Sequence, residues 1–400
     1  MRSPKIIIFL TVLFDLIGFG IVIPLISIYG RHFGATPGEL AMLGSAYSVM
    51  QFIFAPLWGA LSDRIGRRPV LLVSLLGSTA AYLLFGLSDS FNGILLSRAL
   101  AGFFAANIST AQAYMSDITP PQKRASAMGM IGAAFGLGFL LGPPLGGIAS
   151  HYLGLGAPGL LAGTICGANF LFACLALPES LPSDLRRAAI RRSRSPLKTL
   201  FAPALKENRR LLGLVAIFFG ATFAFAHFEQ CFSLLLQTRL FPDTQDATLQ
   251  SGLLLGWAGI IGVIIQGGLM RRIEKKVSLW RVMYLGLGLA VCAYVLLPFL
   301  PTYSSYFVAV GILAIGGALA NPAVSALISR EASASEQGKT LGISQSFGSL
   351  ARALAPSSAQ FAFGKNYVLP FLIAAGISSV LLMVLARIRP HRAAHSGLQR

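Results

Sequence analysis

Charged side chains are scarce in this 400-residue chain. They make up 12% of the residues against 55% that are hydrophobic, and only 14 are acidic. Soluble domains typically carry about 25% charged residues, so this composition excludes an ordinary soluble protein. The few cysteines lie inside apolar runs without metal-like spacing or an evident pairing scheme. We therefore expect inert packing cysteines and no metal site.

Motifs for covalent or phosphate chemistry are also lacking. The chain has no nucleophile elbow, no metal-binding motif and no phosphate-binding loop. We therefore expect a protein that is not an enzyme, that needs no cofactor and that draws its energy from a proton gradient.

Long apolar runs fill most of the chain, and about 20 apolar residues suffice to cross a bilayer. The first run continues for too long, and without a small-residue cleavage site, to be a signal peptide. We expect an all-α integral membrane protein with about twelve spans. They are predicted roughly at 5–30, 41–62, 69–87, 93–115, 126–149, 157–177, 211–236, 251–270, 279–300, 305–328, 339–362 and 366–387.

The net charge of +18 has a one-sided distribution. Most basic residues fall between alternate spans on one side of the membrane, whereas Arg31, Arg239 and Lys365 fall opposite. The positive-inside rule places both termini in the cytoplasm. For such a multi-pass protein we expect a bacterial-type inner membrane. We also expect contact with anionic lipid headgroups at the cytoplasmic face, and no nucleic-acid binding.

An internal repeat divides the chain at an offset of about 210 residues, as in transporters built from two halves. The matched pairs are Asp15 with Glu229, Gly59 with Gly267, Asn107 with Asn321, and Pro143 with Pro356. We predict six-helix bundles at 1–180 and 211–400, joined by a basic linker at 181–210. Ser195-Pro196 followed by an apolar stripe predicts an interfacial helix in that linker.

The loop after the second span reads GALSDRIGRRP, from Gly59 to Pro69. It resembles the signature of the major facilitator superfamily, and the resemblance implies a loop that latches one conformation. A simpler alternative is that its arginines only set the topology. The glycines allow close helix approach and a tight turn, and the acidic side chain can form ion pairs with the arginines. We assign conformational gating to Gly59, Asp63, Arg64, Gly66, Arg67 and Arg68.

Further motifs are similar to those of drug:proton antiporters of the tetracycline-efflux type. They are FDLIGFGIVIPLIS, the stretch from Ser97 to Gly102, GLGFLLGPPLGG, and AYMSDITPPQKRA. The resemblance implies antiport, with the bend at Gly142, Pro143 and Gly146 lining the interface between the halves. Unlike tetracycline exporters, this chain has no acids from Leu71 to Leu87 or from Leu279 to Leu300, which leaves the substrate class broad.

Two carboxylates, Asp15 and Glu229, fall inside predicted spans, where an ionised acid is costly unless it is paired or hydrated. Asp15 lies about 15 Å along its helix from Lys5, near the membrane midplane, and is our candidate for proton binding. The alternative is a structural partner for Arg98. The resemblance implies that Arg98 tunes the proton site, although it could instead snorkel to the interface.

Polar residues within the spans could line a central substrate cavity. Arg352 needs a partner, and Glu229 is a candidate. The predicted cavity residues are Gln51, Asn107, Gln112, His227, Glu229, Gln345 and Arg352.

Together these features predict a monomeric secondary transporter that exports small amphipathic molecules or drugs in exchange for protons, by alternating access. The alternative is a facilitator, importer or exporter of a nutrient, metabolite or lipid on the same fold.

Overall fold

Apolar stretches of membrane-crossing length must satisfy their backbone hydrogen bonds internally, which favours helices. The computed structural model describes residues 4–105, 107–120, 124–181, 208–331 and 337–388, and the regular structure in those ranges is helical. The predicted linker helix therefore lies outside the described residues. The domain limits 1–180, 181–210 and 211–400 stay predictions.

Within the described ranges the chain forms twelve consecutive helical elements. The first six are α1 (Pro4–His32), α2 (Pro37–Ile65), α3 (Arg67–Leu87), α4 (Phe91–Asp117, in the segments Phe91–Phe103 and Asn107–Asp117), α5 (Arg124–Leu153) and α6 (Ala157–Ala176). The second six are α7 (Arg209–Arg239), α8 (Thr244–Leu269, continued by Met270–Lys276), α9 (Leu279–Phe299), α10 (Tyr303–Glu331), α11 (Gln337–Lys365) and α12 (Leu369–Ile388).

Ten of the described helices are long and apolar enough to cross a membrane, and the bent α2 makes eleven. The bend of 43° separates Pro37–Ala55 from Leu57–Ile65, and Pro56 between them cannot donate a backbone hydrogen bond. Helix α11 has 29 residues but is rich in Ser, Gln and Gly, so it falls below the hydropathy of the others. The all-helical membrane fold is confirmed, with ten or eleven spans by hydropathy against about twelve expected.

Helix packing repeats between the two halves. In the first half α1 packs on α5 and α6, α3 on α6, and α2 on α4. In the second half α7 packs on α11 and α12, α9 on α12, and α8 on α10. The paired positions found in the sequence, such as Asp15 on α1 and Glu229 on α7, thus fall on corresponding helices.

The halves meet through α5 against α8 and α2 against α11. We call the end that carries Arg67 and Arg68 the basic end, and the other end, which carries Arg31, the distal end. Polar contacts join the halves at the distal end. Arg31 donates to Thr238 at 3.3 Å, and His151 lies 3.4 Å from the Asp246 carboxylate.

At the basic end, the two glycines matched by the internal repeat have open space around them. A Cβ placed on Gly59 or Gly267 would have no heavy atom within 4 Å. In the part of the chain that the structure describes, the polar contacts between the halves thus lie at the distal end, and the space around Gly59 and Gly267 at the basic end is open.

Candidate functional site

Asp15 lies on α1, half-buried where that helix faces α6. The Cys166 thiol donates to Asp15 Oδ1 at an Sγ–Oδ1 distance of 3.7 Å. Tyr47 of α2 and Tyr82 of α3 lie near enough to the carboxylate for its charge to act on their hydroxyl groups. The predicted proton-binding residue is thus surrounded by weakly polar groups, an environment in which an ionised carboxylate is poorly solvated.

Arg98 on α4 is buried, with 3% of its surface exposed. Its guanidinium carbon lies 4.8 Å from the centre of the Tyr47 ring, within the range of a cation–π contact. Its Nε has no hydrogen-bond partner among the described residues. The structure thus excludes snorkelling of Arg98 to the membrane surface and places it beside the surroundings of Asp15.

Glu229 on α7 brings the second half into the same region. Its carboxylate interacts electrostatically with Arg352 and with Arg98. None of the ion pairs within 4 Å in the described ranges involves Glu229, and Arg352 instead donates to the Ser349 hydroxyl at 3.3 Å. Glu229 and Arg352 therefore attract each other without an ion pair within 4 Å among the described residues.

Tyr47 is one residue of this region that the sequence did not single out. Beyond Arg98, it contacts Phe19 at a ring-centre distance of 5.1 Å and accepts a hydrogen bond from Gln51 at 3.4 Å. Gln51 follows one helical turn later, so the two share a face of α2. An aromatic residue one turn before a polar residue inside a span was the available signal.

The remaining predicted cavity residues differ in their surroundings. Gln345 is exposed on α11 and shares a helix face with Ser349, four residues later, and with Arg352, three residues after Ser349. Gln112 is half-buried on α4. The Asn107 side chain lies outside the described residues.

His227 does not line a cavity, which corrects its predicted role. It is fully buried in the packing of α7 on α11. Its Nδ1 lies 2.9 Å from the Phe223 carbonyl oxygen, and its Nε2 lies 3.0 Å from the Ser358 hydroxyl. Both ring nitrogens thus have hydrogen-bond partners inside the protein. The sequence alone could not identify Ser358 on α11 as one of them.

The loop at the basic end is built around Gly66, whose φ of +113° favours glycine. A Cβ there would stand within 3 Å of the Glu179 carboxylate. That carboxylate accepts hydrogen bonds from the backbone N–H groups of Arg67 and Arg68 at 2.9 and 3.2 Å. The predicted turn at Gly66 is therefore present, and Glu179, which sequence reasoning missed, caps α3.

Arg67 ties the loop to its neighbours within the first half. It pairs with Asp63 at 2.6 Å and with Asp117 at 3.2 Å, while Arg68 donates to the Cys174 carbonyl at 2.7 Å. Arg64 is exposed. Gly59 is predicted to allow close helix approach, but among the described residues no heavy atom lies within 4 Å of a Cβ placed on it. Its role in gating stays a prediction.

Glycines of α5 bring it against α1 in the same half. A Cβ on Gly142 would lie 2.6 Å from the Gly20 backbone, and one on Gly146 would lie 2.3 Å from the Ile21 carbonyl oxygen. Gly138 likewise faces Leu16, the residue after Asp15. Only glycine permits such backbone contact.

Helix α5 also packs against α8 of the other half. A Cβ on Gly252 would lie 2.5 Å from the Pro143 carbonyl oxygen, and one on Gly259 would lie 2.4 Å from Leu140 Cα. The helix expected at the interface therefore connects α1, which carries Asp15, with the second half.

A polar cluster at the distal end, also missed from the sequence, joins three helices. Gln360 of α11 donates to the Ser27 hydroxyl at 3.0 Å and to the Gln230 carbonyl at 3.3 Å. Ser27 in turn lies 3.5 Å from Gln230 Oε1. These buried hydrogen bonds hold α1 against the second half at this end.

Comparison with known proteins agrees with this architecture. The family model described as Major Facilitator Superfamily matches residues 8–356 and 280–399. Major facilitator superfamily domain-containing protein 10 of Homo sapiens is 31% identical over 88% of this chain and 85% of that protein. The class C tetracycline resistance protein of Escherichia coli is 30% identical over 85% of both chains.

Among solved structures, the human organic anion transporter MFSD10 (TETRAN) superposes with a TM-score of 0.72 at 28% identity. The match covers 96% of this chain and all of that one. With the matched family model spanning nearly the whole chain, this protein belongs to the Major Facilitator Superfamily.

Proposed function

We propose that this protein exports small amphipathic molecules, drugs among them, in exchange for protons. Asp15 binds the proton, Arg98 stabilises its ionised form, and Glu229 with Arg352 contacts the substrate. The proposed location is a bacterial-type inner membrane with the basic end and both termini in the cytoplasm. The protein acts as a monomer, and the exposed Arg64 at the basic end contacts anionic lipid headgroups.

One observation carries this proposal: the position of Asp15 on α1, directly before the helix-to-helix contact with α5. Leu16 packs against Gly138, and Gly20 packs against Gly142. A change in the charge of Asp15 alters the solvation that this turn of α1 requires, and in this proposal α1 responds by shifting against α5. Because α5 also packs against α8, that shift reaches the interface between the halves.

The arrangement of the halves supports alternating access. With the basic end in the cytoplasm, the polar contacts at the distal end and the open space around the two glycines at the basic end describe an inward-facing state. Substrate then enters from the cytoplasm toward Arg352 and Gln345. Opening to the outside requires the Arg31–Thr238 and Gln360–Ser27 contacts to break, and ligand binding must favour that state to drive the change.

The charges around Glu229 favour a substrate that carries an ionised group. Arg98 and Arg352 supply positive charge, and Glu229 supplies negative charge without a direct ion pair among the described residues. The relatives include tetracycline resistance proteins and a human protein described as an organic anion transporter. We propose amphipathic organic ions as the substrate class, with tetracycline one member to be tested.

The test is transport into proteoliposomes driven by an imposed pH gradient, with tetracycline, ethidium and fluorescein as zwitterionic, cationic and anionic probes. We expect Asp15→Asn to abolish the response to the gradient while the protein still folds and inserts. Asp89→Asn, which changes an exposed acid between α3 and α4, is the matched control and should transport normally.

Two outcomes would contradict the proposal. Wild-type transport that persists after a protonophore collapses the gradient would instead indicate a facilitator. Gradient-driven transport that survives in Asp15→Asn would remove Asp15 from the proton site.

A further inference from the structure

Helix α6 runs alongside the turn of α1 that carries Asp15. Asn169 donates from Nδ2 to the Thr11 carbonyl at 2.8 Å, and Cys166, one turn away on α6, reaches Asp15 Oδ1. Thr11 and Asp15 are likewise one turn apart on α1. Two successive polar contacts therefore fix the register of α6 against α1 at this position.

Both α6 side chains are withdrawn from solvent. Cys166 is fully buried and Asn169 is 2% exposed. Asn169 Oδ1 has no hydrogen-bond partner among the described residues, although buried polar atoms normally have one. Asn169 Oδ1 is thus a buried acceptor, one turn from Cys166, that the described packing leaves unused. Its presence makes this part of the helix contact more polar than packing requires.

The Cys166 thiol lies near the Thr79 side chain, which is hydrogen-bonded to it and itself donates to the Leu75 carbonyl at 2.8 Å. Two further acceptors lie within reach of the thiol. Besides Asp15 Oδ1 at 3.7 Å, the Leu75 carbonyl oxygen of α3 lies 3.9 Å from Sγ. One thiol proton can serve only one of them well at a time. An ionised carboxylate is the stronger acceptor, whereas a protonated carboxyl group competes less well with a backbone carbonyl.

We propose that Cys166 is a positioning residue for the proton site: its S–H bonds Asp15 when the carboxylate is ionised and turns to the Leu75 carbonyl when Asp15 takes up a proton. This inference rests on the proposed role of Asp15. The thiol keeps its own proton throughout, and the transported proton resides on a carboxylate oxygen of Asp15.

Other groups around Asp15 also influence its protonation, and they remain unchanged in the test. On α5, the residues that meet α1 are the glycines at 138, 142 and 146. Titratable groups on which the charge of Asp15 acts include Tyr47 of α2, Tyr82 of α3 and Cys166 of α6, and the charged Arg98 of α4 lies against the Tyr47 ring.

The first test compares the pH dependence of proton-driven transport in Cys166→Ala, Cys166→Ser and wild type. Loss of a donor to the ionised carboxylate makes proton release harder, so the midpoint in Cys166→Ala should move to higher pH by about 0.5–1 unit. Cys166→Ser restores a hydroxyl donor and should lie closer to wild type. Cys174→Ala, a half-buried cysteine on the same helix, is the matched control and should keep the wild-type midpoint.

The second test is the infrared S–H stretching band, which reports the hydrogen bond of the thiol directly. The component that disappears in Cys166→Ser should shift between acidic and alkaline pH in the wild type and stay fixed in Asp15→Asn. A merely structural cysteine would show no such shift.

The two proposals fail in different ways. If Asp15→Asn abolishes coupling but Cys166→Ala keeps the wild-type midpoint and the band is independent of pH, the role of Cys166 is refuted alone. If Asp15→Asn remains coupled, the proposed function itself is refuted.

Discussion

Replacing Gly259 with alanine tests whether the contact between α8 and α5 controls the arrangement of the halves. The new Cβ would stand 2.4 Å from Leu140 Cα, 2.8 Å from its backbone nitrogen and 2.9 Å from its Cβ. Backbone atoms cannot rotate away as a side-chain tip can. The clash can be relieved only by moving one helix relative to the other.

The size of the effect follows from these distances. Carbon atoms pack comfortably at about 3.5–4.0 Å, so α8 and α5 must separate by roughly 1 Å. Overpacking of this kind costs about 1–3 kcal/mol. Since 1.4 kcal/mol corresponds to a factor of ten, the balance between this conformation and the alternative should change by about 5-fold to 150-fold.

Gly262, less than a turn further along α8, provides the matched control because a Cβ there has no heavy atom within 4 Å. In Gly259→Ala, gradient-driven transport should be slower and the midpoint of thermal unfolding in detergent should be lower. In Gly262→Ala, both should be close to wild type. Equal behaviour of the two variants would refute the argument that this contact limits the motion of the halves.

Two further changes test the packing of single residues. Glu179→Ala leaves the first N–H groups of α3 without their acceptor, so the free energy of unfolding should fall by about 1–3 kcal/mol, measured against the exposed-site control Asp89→Ala. Ser358→Ala removes the partner of His227 and should cost about 1 kcal/mol of stability without changing which probes are transported; a changed probe preference would return His227 to the substrate site.

The helical membrane fold could be predicted because its signals are local. The apolar runs that form the spans, and the turn at Gly66 between two helices, are both determined by residues close together in the sequence. The equivalence of the Asp15 and Glu229 positions could also be predicted, because the two halves of the sequence repeat. Antiport and substrate range stay predictions, since they depend on ligands as much as on the fold.

Contacts between distant residues could not be predicted. Glu179 caps a helix whose first residue lies 112 positions earlier in the chain, and no local pattern announces that approach. The position of the His227 ring depends on its contact with Ser358, which lies 131 positions away in the chain. A polar residue inside a span indicates that a partner exists, but only the packing identifies the partner.

The interface between the halves has one more property. The second helix of each six-helix unit packs against the fifth helix of the other, since α2 meets α11 and α8 meets α5. Each unit thus offers the same pair of surfaces, which is the geometry of an isologous dimer. A chain of half this length could therefore build the same interface by pairing with a second copy of itself.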